Sequence, residues 1–177
     1  SAAAAAEGHA LTEAAVGDIV GTDGKAYAAA DKDNLPSDVT AVAVIAYKGS
    51  ETEYATYTHG LAIALSDEGG MDYATAKSTC EGKTAVADAA WVFPSQNQWK
   101  TMFKANGNEG SETGLNTAIV NAGGTGFQQY AFYWSSTKKD NYDAYYWCDW
   151  SGGSVTWQGG TMSDGTGDYK ARAVLAF

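Results

Sequence analysis

Apolar and polar positions along the chain fall into strand-like runs, then helical ones, then strand-like runs again. From Gly17 to Ala28 the residues GDIVGTDGKAYA place two short extended pieces around Gly21–Gly24, where Asp23-Gly24 supplies a positive backbone angle, so a hairpin is expected. Val39–Tyr47 (VTAVAVIAY) alternates and is β-branched, and Gly60–Leu65 (GLAIAL) is a short apolar run; both predict core strands. Asp72 then stands as the N-cap of a helix reaching Glu81, with Tyr73, Ala76 and Cys80 on its inward face. Ser95 and Gln98 have the S-x-x-Q spacing of a capping box, in which each side chain satisfies a first-turn amide of a helix. Trp99, Met102 and Phe103 share one face of that helix, which should stop near Gly107. A third helix from Glu112 to Asn121 has Leu115, Ala118 and Ile119 on one side and ends at Gly123-Gly124. Beyond Phe127, Tyr130–Ser135, Ala144–Trp150, Ser154–Trp157 and Tyr169–Ala176 read as short strands joined by glycine-rich polar turns. This order predicts an α+β domain, with helices packed on small, mainly antiparallel sheets.

Length and charge narrow the picture. The 177 residues fit one core, with no internal repeat and no linker. Residues 1–16 read as an alanine-rich extension and 17–177 as the folded domain. The opening Ser1–Ala6 lacks the basic and long apolar regions of a signal peptide, and is expected to be a trimmed or engineered start. A net charge of -10, from 21 acids and 11 bases, argues against nucleic-acid or anionic-lipid partners. Lys138-Lys139 is read as a solvated turn. No run approaches the roughly 20 apolar residues of a membrane span.

Candidate chemistry is sparse. His9 and His59 lie far apart, and neither neighbours a nucleophile motif. A phosphate-cradling glycine motif, a P-loop lysine and a zinc-hydrolase motif are all absent, so no cofactor is expected and the chain is read as a non-enzyme. Cys80 and Cys148 are too few for a disulfide scaffold or a cysteine zinc site, and Cys80 is expected to be a buried helix thiol. Asp140, Asp143, Asp149, Asp164 and Asp168 match no calcium-loop spacing and are read as solvated turns, with no metal assigned. Asp67-Glu68 is placed in a turn before Gly69.

What remains is the aromatic segment from Asn141 to Tyr169. A strand over Ala144–Trp150 puts Ala144, Tyr146, Cys148 and Trp150 on one face and Tyr145, Trp147 and Asp149 on the other. On the expectation that a small sheet buries one side only, the face with Tyr145 and Trp147 is assigned to a ligand.

Four motifs in order carry a resemblance: Trp91–Trp99 (WVFPSQNQW), Tyr133–Thr137 (YWSST), the alternating strand from Ala144, and the closing Tyr169–Phe177 (YKARAVLAF). From about Gly17 to the C-terminus the chain resembles the C-type lectin-like, formylglycine-generating-enzyme-like domains of variable proteins from bacterial diversity-generating retroelements, and related surface proteins of the Bacteroides group. The resemblance implies a C-type lectin-like fold, an extracytoplasmic, cell-surface location and a protein or other macromolecular ligand. It also implies a rigid scaffold, built on the WSST motif and the Arg172 strand, that displays side chains varied by adenine-directed mutagenesis. Carried onto this chain, the displayed residues are Asp143, Tyr145, Trp147, Asp149, Ser151, Ser154, Thr156, Trp157 and Gln158. Tryptophan cannot arise from the adenines of an asparagine codon, so Trp147 and Trp157 either derive from another template codon or are fixed scaffold. The calcium-sugar motifs of animal lectins are missing, and the catalytic cysteine pair of the formylglycine-generating enzymes has no counterpart. The rival readings are a fixed-ligand surface or pilus-tip module of the same fold and, more remotely, an oxidase of the formylglycine-generating type.

Overall fold

The computed structural model describes residues 4–177, so the reading of Ser1 to Ala3 as a trimmed start lies outside the described residues. In chain order the elements are β1 (Ile19–Gly21), β2 (Ala26–Tyr27), β3 (Ala41–Lys48), β4 (Gly60–Ala64), β5 (Gly69–Gly70), α1 (Tyr73–Glu81), β6 (Ala90–Val92), α2 (Gln96–Ala105) and α3 (Thr113–Asn121). The closing strands are β7 (Phe132–Lys138), β8 (Asp143–Asp149), β9 (Val155–Thr161), β10 (Tyr169–Ala171) and β11 (Val174–Ala176). They form a six-stranded sheet ordered β2-β1-β3-β4-β11-β6 and a five-stranded sheet ordered β5-β10-β7-β8-β9. The protein is therefore α+β. Neighbouring strands are antiparallel except β10 and β7, which run parallel.

Local chemistry explains the elements. The hairpin turns where Gly24, at a positive φ of 74°, lets the chain reverse between Ile19–Gly21 and Ala26–Tyr27. At α1 the Asp72 carboxylate accepts the Thr75 amide at 2.8 Å. At α2 both halves of the capping box are made: the Gln98 amide donates to Ser95 Oγ at 3.0 Å and the Ser95 amide to Gln98 Oε1 at 2.8 Å. Trp99, Met102 and Phe103 are buried beneath α2, and Ala76 and Cys80 beneath α1. The alanine-rich segment before Gly17 is tied to the domain, because His9 and Ala26 exchange backbone hydrogen bonds of 2.8 Å and Leu11 and Ala14 are buried.

Two expectations need correction. The terminal run Tyr169–Ala176 is two strands, not one: β10 belongs to the five-stranded sheet and β11 to the six-stranded sheet. The break falls at Arg172-Ala173, where the chain crosses between sheets and the Ala173 carbonyl accepts from the Ala64 amide at 2.9 Å. Nor is the sheet around β8 buried on one side only. Trp134, Tyr146, Cys148 and Tyr169 pack into one apolar layer, and Trp99, Phe103, Tyr133 and Trp147 into another.

Asp67 is more than a turn residue. Its Oδ1 pairs with Arg172 Nε at 2.8 Å, and its Oδ2 accepts from the Tyr133 hydroxyl at 3.2 Å. Arg172, with no exposed surface, also donates to the carbonyls of Ala64 at 3.2 Å and Thr125 at 2.8 Å. Removing one member of a buried pair strands the other charge. Arg172→Ala is expected to lower stability by about 3–5 kcal/mol, read as a fall in the urea midpoint.

Candidate functional site

The structure separates the nine residues assigned to the ligand face. In the β8–β9 pairing Tyr145, Trp147 and Asp149 lie opposite Gly159, Trp157 and Val155, so these residues share one face of the sheet. That face turns inward, toward α2 and α3. Trp147 has no exposed surface, and its ring lies 5.3 Å from Trp99, 5.2 Å from Phe103, 5.0 Å from Phe127 and 4.6 Å from Tyr133. Asp149 is also buried, Trp157 packs partly buried against the same layer, and Asp143 and Tyr145 are half-buried. Ser151, Ser154, Thr156 and Gln158 are exposed. The outward assignment of Trp147 and Asp149 is thus overturned. The alternation is right, but period-two alternation does not say which face is wet, and here the helices cover the odd-numbered one.

The exposed aromatic surface lies elsewhere. On the even-numbered face Phe132 pairs with Cys148, and Trp150 follows the end of β8. The Trp150 ring is 5.6 Å from Phe132 and 6.4 Å from Tyr130, with Trp150 43% and Tyr130 58% exposed. Phe132 in turn touches Tyr146 at 4.6 Å and Tyr169 at 5.0 Å, which anchors the patch in the core below. Tyr130 is held in the left-handed region at φ 66°, and its amide donates to the Asp149 carbonyl at 3.1 Å. Thr156, which pairs with Cys148, and Gln158, which accepts from the Tyr146 hydroxyl at 2.8 Å, extend this face toward the sheet edge.

The sequence pattern does not mark Tyr130, Phe132 and Trp150 as an exposed cluster. The one signal for Trp150 is its parity, which places it on the face opposite Tyr145 and Trp147. The meeting of Tyr130 and Phe132, at the start of β7, with Trp150, just past β8, is tertiary and leaves no sequence trace.

Beside this patch the loop 150–154 turns on Gly152 and Gly153, both at positive φ. A Cβ at Gly153 would come within 2.2 Å of Thr113 Oγ1, so only glycine fits there. The loop brings Asp149, whose Oδ1 accepts the Gly153 amide at 3.2 Å, against Glu112 at the start of α3. Burial first, and then the hydrogen bond and charge of Asp149, push the Glu112 carboxyl up to about 7. Of the other acids, Asp140 accepts the amides of Tyr142 and Asp143 and Asp164 that of Thr166, so these lie in turns.

This fold has a solved counterpart. The chain is similar to the crystal structure of a fimbrial protein from Bacteroides ovatus, with a TM-score of 0.59 and 16% identity, covering 93% of this chain and 49% of that one. It therefore spans about half the length of the chain it matches. No family model and no curated protein matches the sequence.

Cys80 and Cys148 are both free and buried, and burial raises their thiols to about 12 and about 11. No helix among the described residues is long and apolar enough to cross a membrane. The contrast between the two tryptophans is measurable. Trp147→Ala is expected to lose about 3–5 kcal/mol of stability, and Trp150→Ala less than about 1 kcal/mol, both by urea denaturation. Equal losses would contradict the burial described.

Proposed function

We propose that the chain is a ligand-binding module of a bacterial surface structure, C-type lectin-like in fold and not an enzyme, that contacts a protein or other macromolecule through Tyr130, Phe132 and Trp150. The observation that supports this reading is the clustering of two large, exposed aromatic rings on a third ring anchored in the core. Each ring is about half exposed and so forgoes about half of the roughly 1.5–3 kcal/mol of full burial, a cost that contact with a partner recovers. Tyr and Trp are also the residues most often found as binding hot spots. Thr156 and Gln158 supply polar groups beside the rings. The likeness to a fimbrial protein supports an extracytoplasmic, surface location. The protonated, buried thiols favour binding over thiol-dependent oxidation.

Screening the chain against arrayed ectodomains and matrix proteins tests the face. For any ligand found, Trp150→Ala and Tyr130→Ala should each weaken binding by about tenfold or more, whereas Tyr142→Ala, at the far end of β8, should leave it unchanged. Binding that survives the double variant Tyr130→Ala/Trp150→Ala would exclude this face.

The second reading is a surface diversified by a retroelement, favoured by the exposure of Ser151, Ser154, Thr156 and Gln158 at the hairpin end and outer strand. Population sequencing of the coding region should then show adenine-site substitutions at these four codons, with Trp147, Asp149 and Gly153 constant. An unvarying sequence with no template repeat rules that reading out and leaves a fixed-ligand module.

A further inference from the structure

We propose that the pocket between the start of α3 and the β8–β9 loop binds a hard divalent cation of the calcium type through the carboxyl groups of Glu112 and Asp149. The two groups come from elements far apart in sequence and face one another at 9% and 7% exposure. The ion pairs among the described residues are Lys32–Asp33, Lys77–Glu81, Lys83–Glu68 and Arg172–Asp67, so neither carboxyl has a basic partner. Buried like charges in contact are held only by a counter-charge or a shared proton. Glu112 Oε2 is buried, and no N–H or O–H of the described residues donates to it. A buried polar atom left in this state in a native fold marks a missing proton, water or ion.

The surroundings favour the ion. Glu112 and Asp149 line a pocket of about 280 Å³ together with Phe127, Gln128, Gln129, Gly152 and Gly153. Gln128 and Gln129, exposed at its rim, are the neutral polar side chains of the lining, and the volume admits water molecules. Sulfur and imidazole are absent from this lining, which selects against zinc and copper. Among the described residues no three His, Cys, Asp or Glu side chains gather as a ready-made cage. A two-carboxylate site completed by neutral oxygens and water suits calcium, which accepts six to eight oxygens in irregular geometry, better than magnesium with its strict octahedron. The backbone also holds the two sides together, since the Glu112 amide donates to the Gly153 carbonyl at 2.9 Å and the Val155 amide to the Gly110 carbonyl at 2.9 Å.

Such an ion would brace the aromatic face. Asp149 precedes Trp150, and its carbonyl fixes the strained Tyr130 backbone. The cation site does not depend on what that face binds.

The test uses the full chain stripped with a chelator and titrated with calcium chloride alone, by calorimetry and thermal melting near neutral pH. Saturable binding and a rise of about 5 °C in melting temperature at saturating calcium are expected. Glu112→Gln and Asp149→Asn, checked for folding by circular dichroism, should each weaken the calcium response by about tenfold or more. Trp150→Ala should bind calcium as the parent does, which separates this site from the ligand face. If a variant fails to fold, the parent titration decides. A parent chain that shows no heat and no melting shift up to about 10 mM calcium, or an undiminished shift in folded Glu112→Gln, overturns the proposal. So does a chelated protein that is stabilised by acidification and is indifferent to calcium, because the pair then shares a proton.

Discussion

The guanidinium of Arg172 sits where the chain leaves one sheet for the other, wholly shielded from water, and most of the architecture meets around it. Its donors reach the end of β4 through Ala64, the segment before β7 through Thr125, and the carboxylate of Asp67, which in turn accepts from Tyr133 on β7. Its plane lies 5.0 Å from the Phe127 ring, which also touches Trp147. A buried cation tolerates only geometries that satisfy its donors, so this group fixes how the two sheets are joined more than it adds to net stability.

From that join the aromatic interior follows. Trp147 is enclosed by Trp99, Phe103, Phe127 and Tyr133, drawn from α2, β7 and the loop between α3 and β7. Strand β8 is covered on both faces, so its chemistry is committed to the core along nearly its whole length. Where Trp150 leaves the sheet at its end and meets Tyr130 and Phe132, rings cluster at the solvent surface. The likeness to a fimbrial protein is a likeness of fold.

Local signals were readable from the residues. Asp23-Gly24 marks a turn, the Ser95/Gln98 pair a helix start, and the alternation from Ala144 a strand, because each depends on a few neighbouring residues. What was not readable depends on contacts distant in the chain. The division of Tyr169–Ala176 between two sheets is decided by which strands lie alongside, namely β7 for one piece and β4 and β6 for the other. The choice of face on β8 was decided by α2 and α3, and the alternation of Tyr145, Trp147 and Asp149 reads the same whether that face is wet or dry. Glu112 was legible as a helix start, but its meeting with Asp149 required the Gly152-Gly153 turn to fold back on α3.

On β9 the side chains step between exposed and half-buried from Val155 to Gln158, beside a partner strand that is closed on both sides. Freedom to change is therefore distributed one residue at a time. Thr156 and Gln158, with Ser151 and Ser154 in the adjoining loop, can be rewritten without disturbing a single core contact of Trp147. A lineage built on this scaffold can change its outer surface while inheriting its interior unchanged, and how far that surface can vary is set by how few such positions the hairpin exposes.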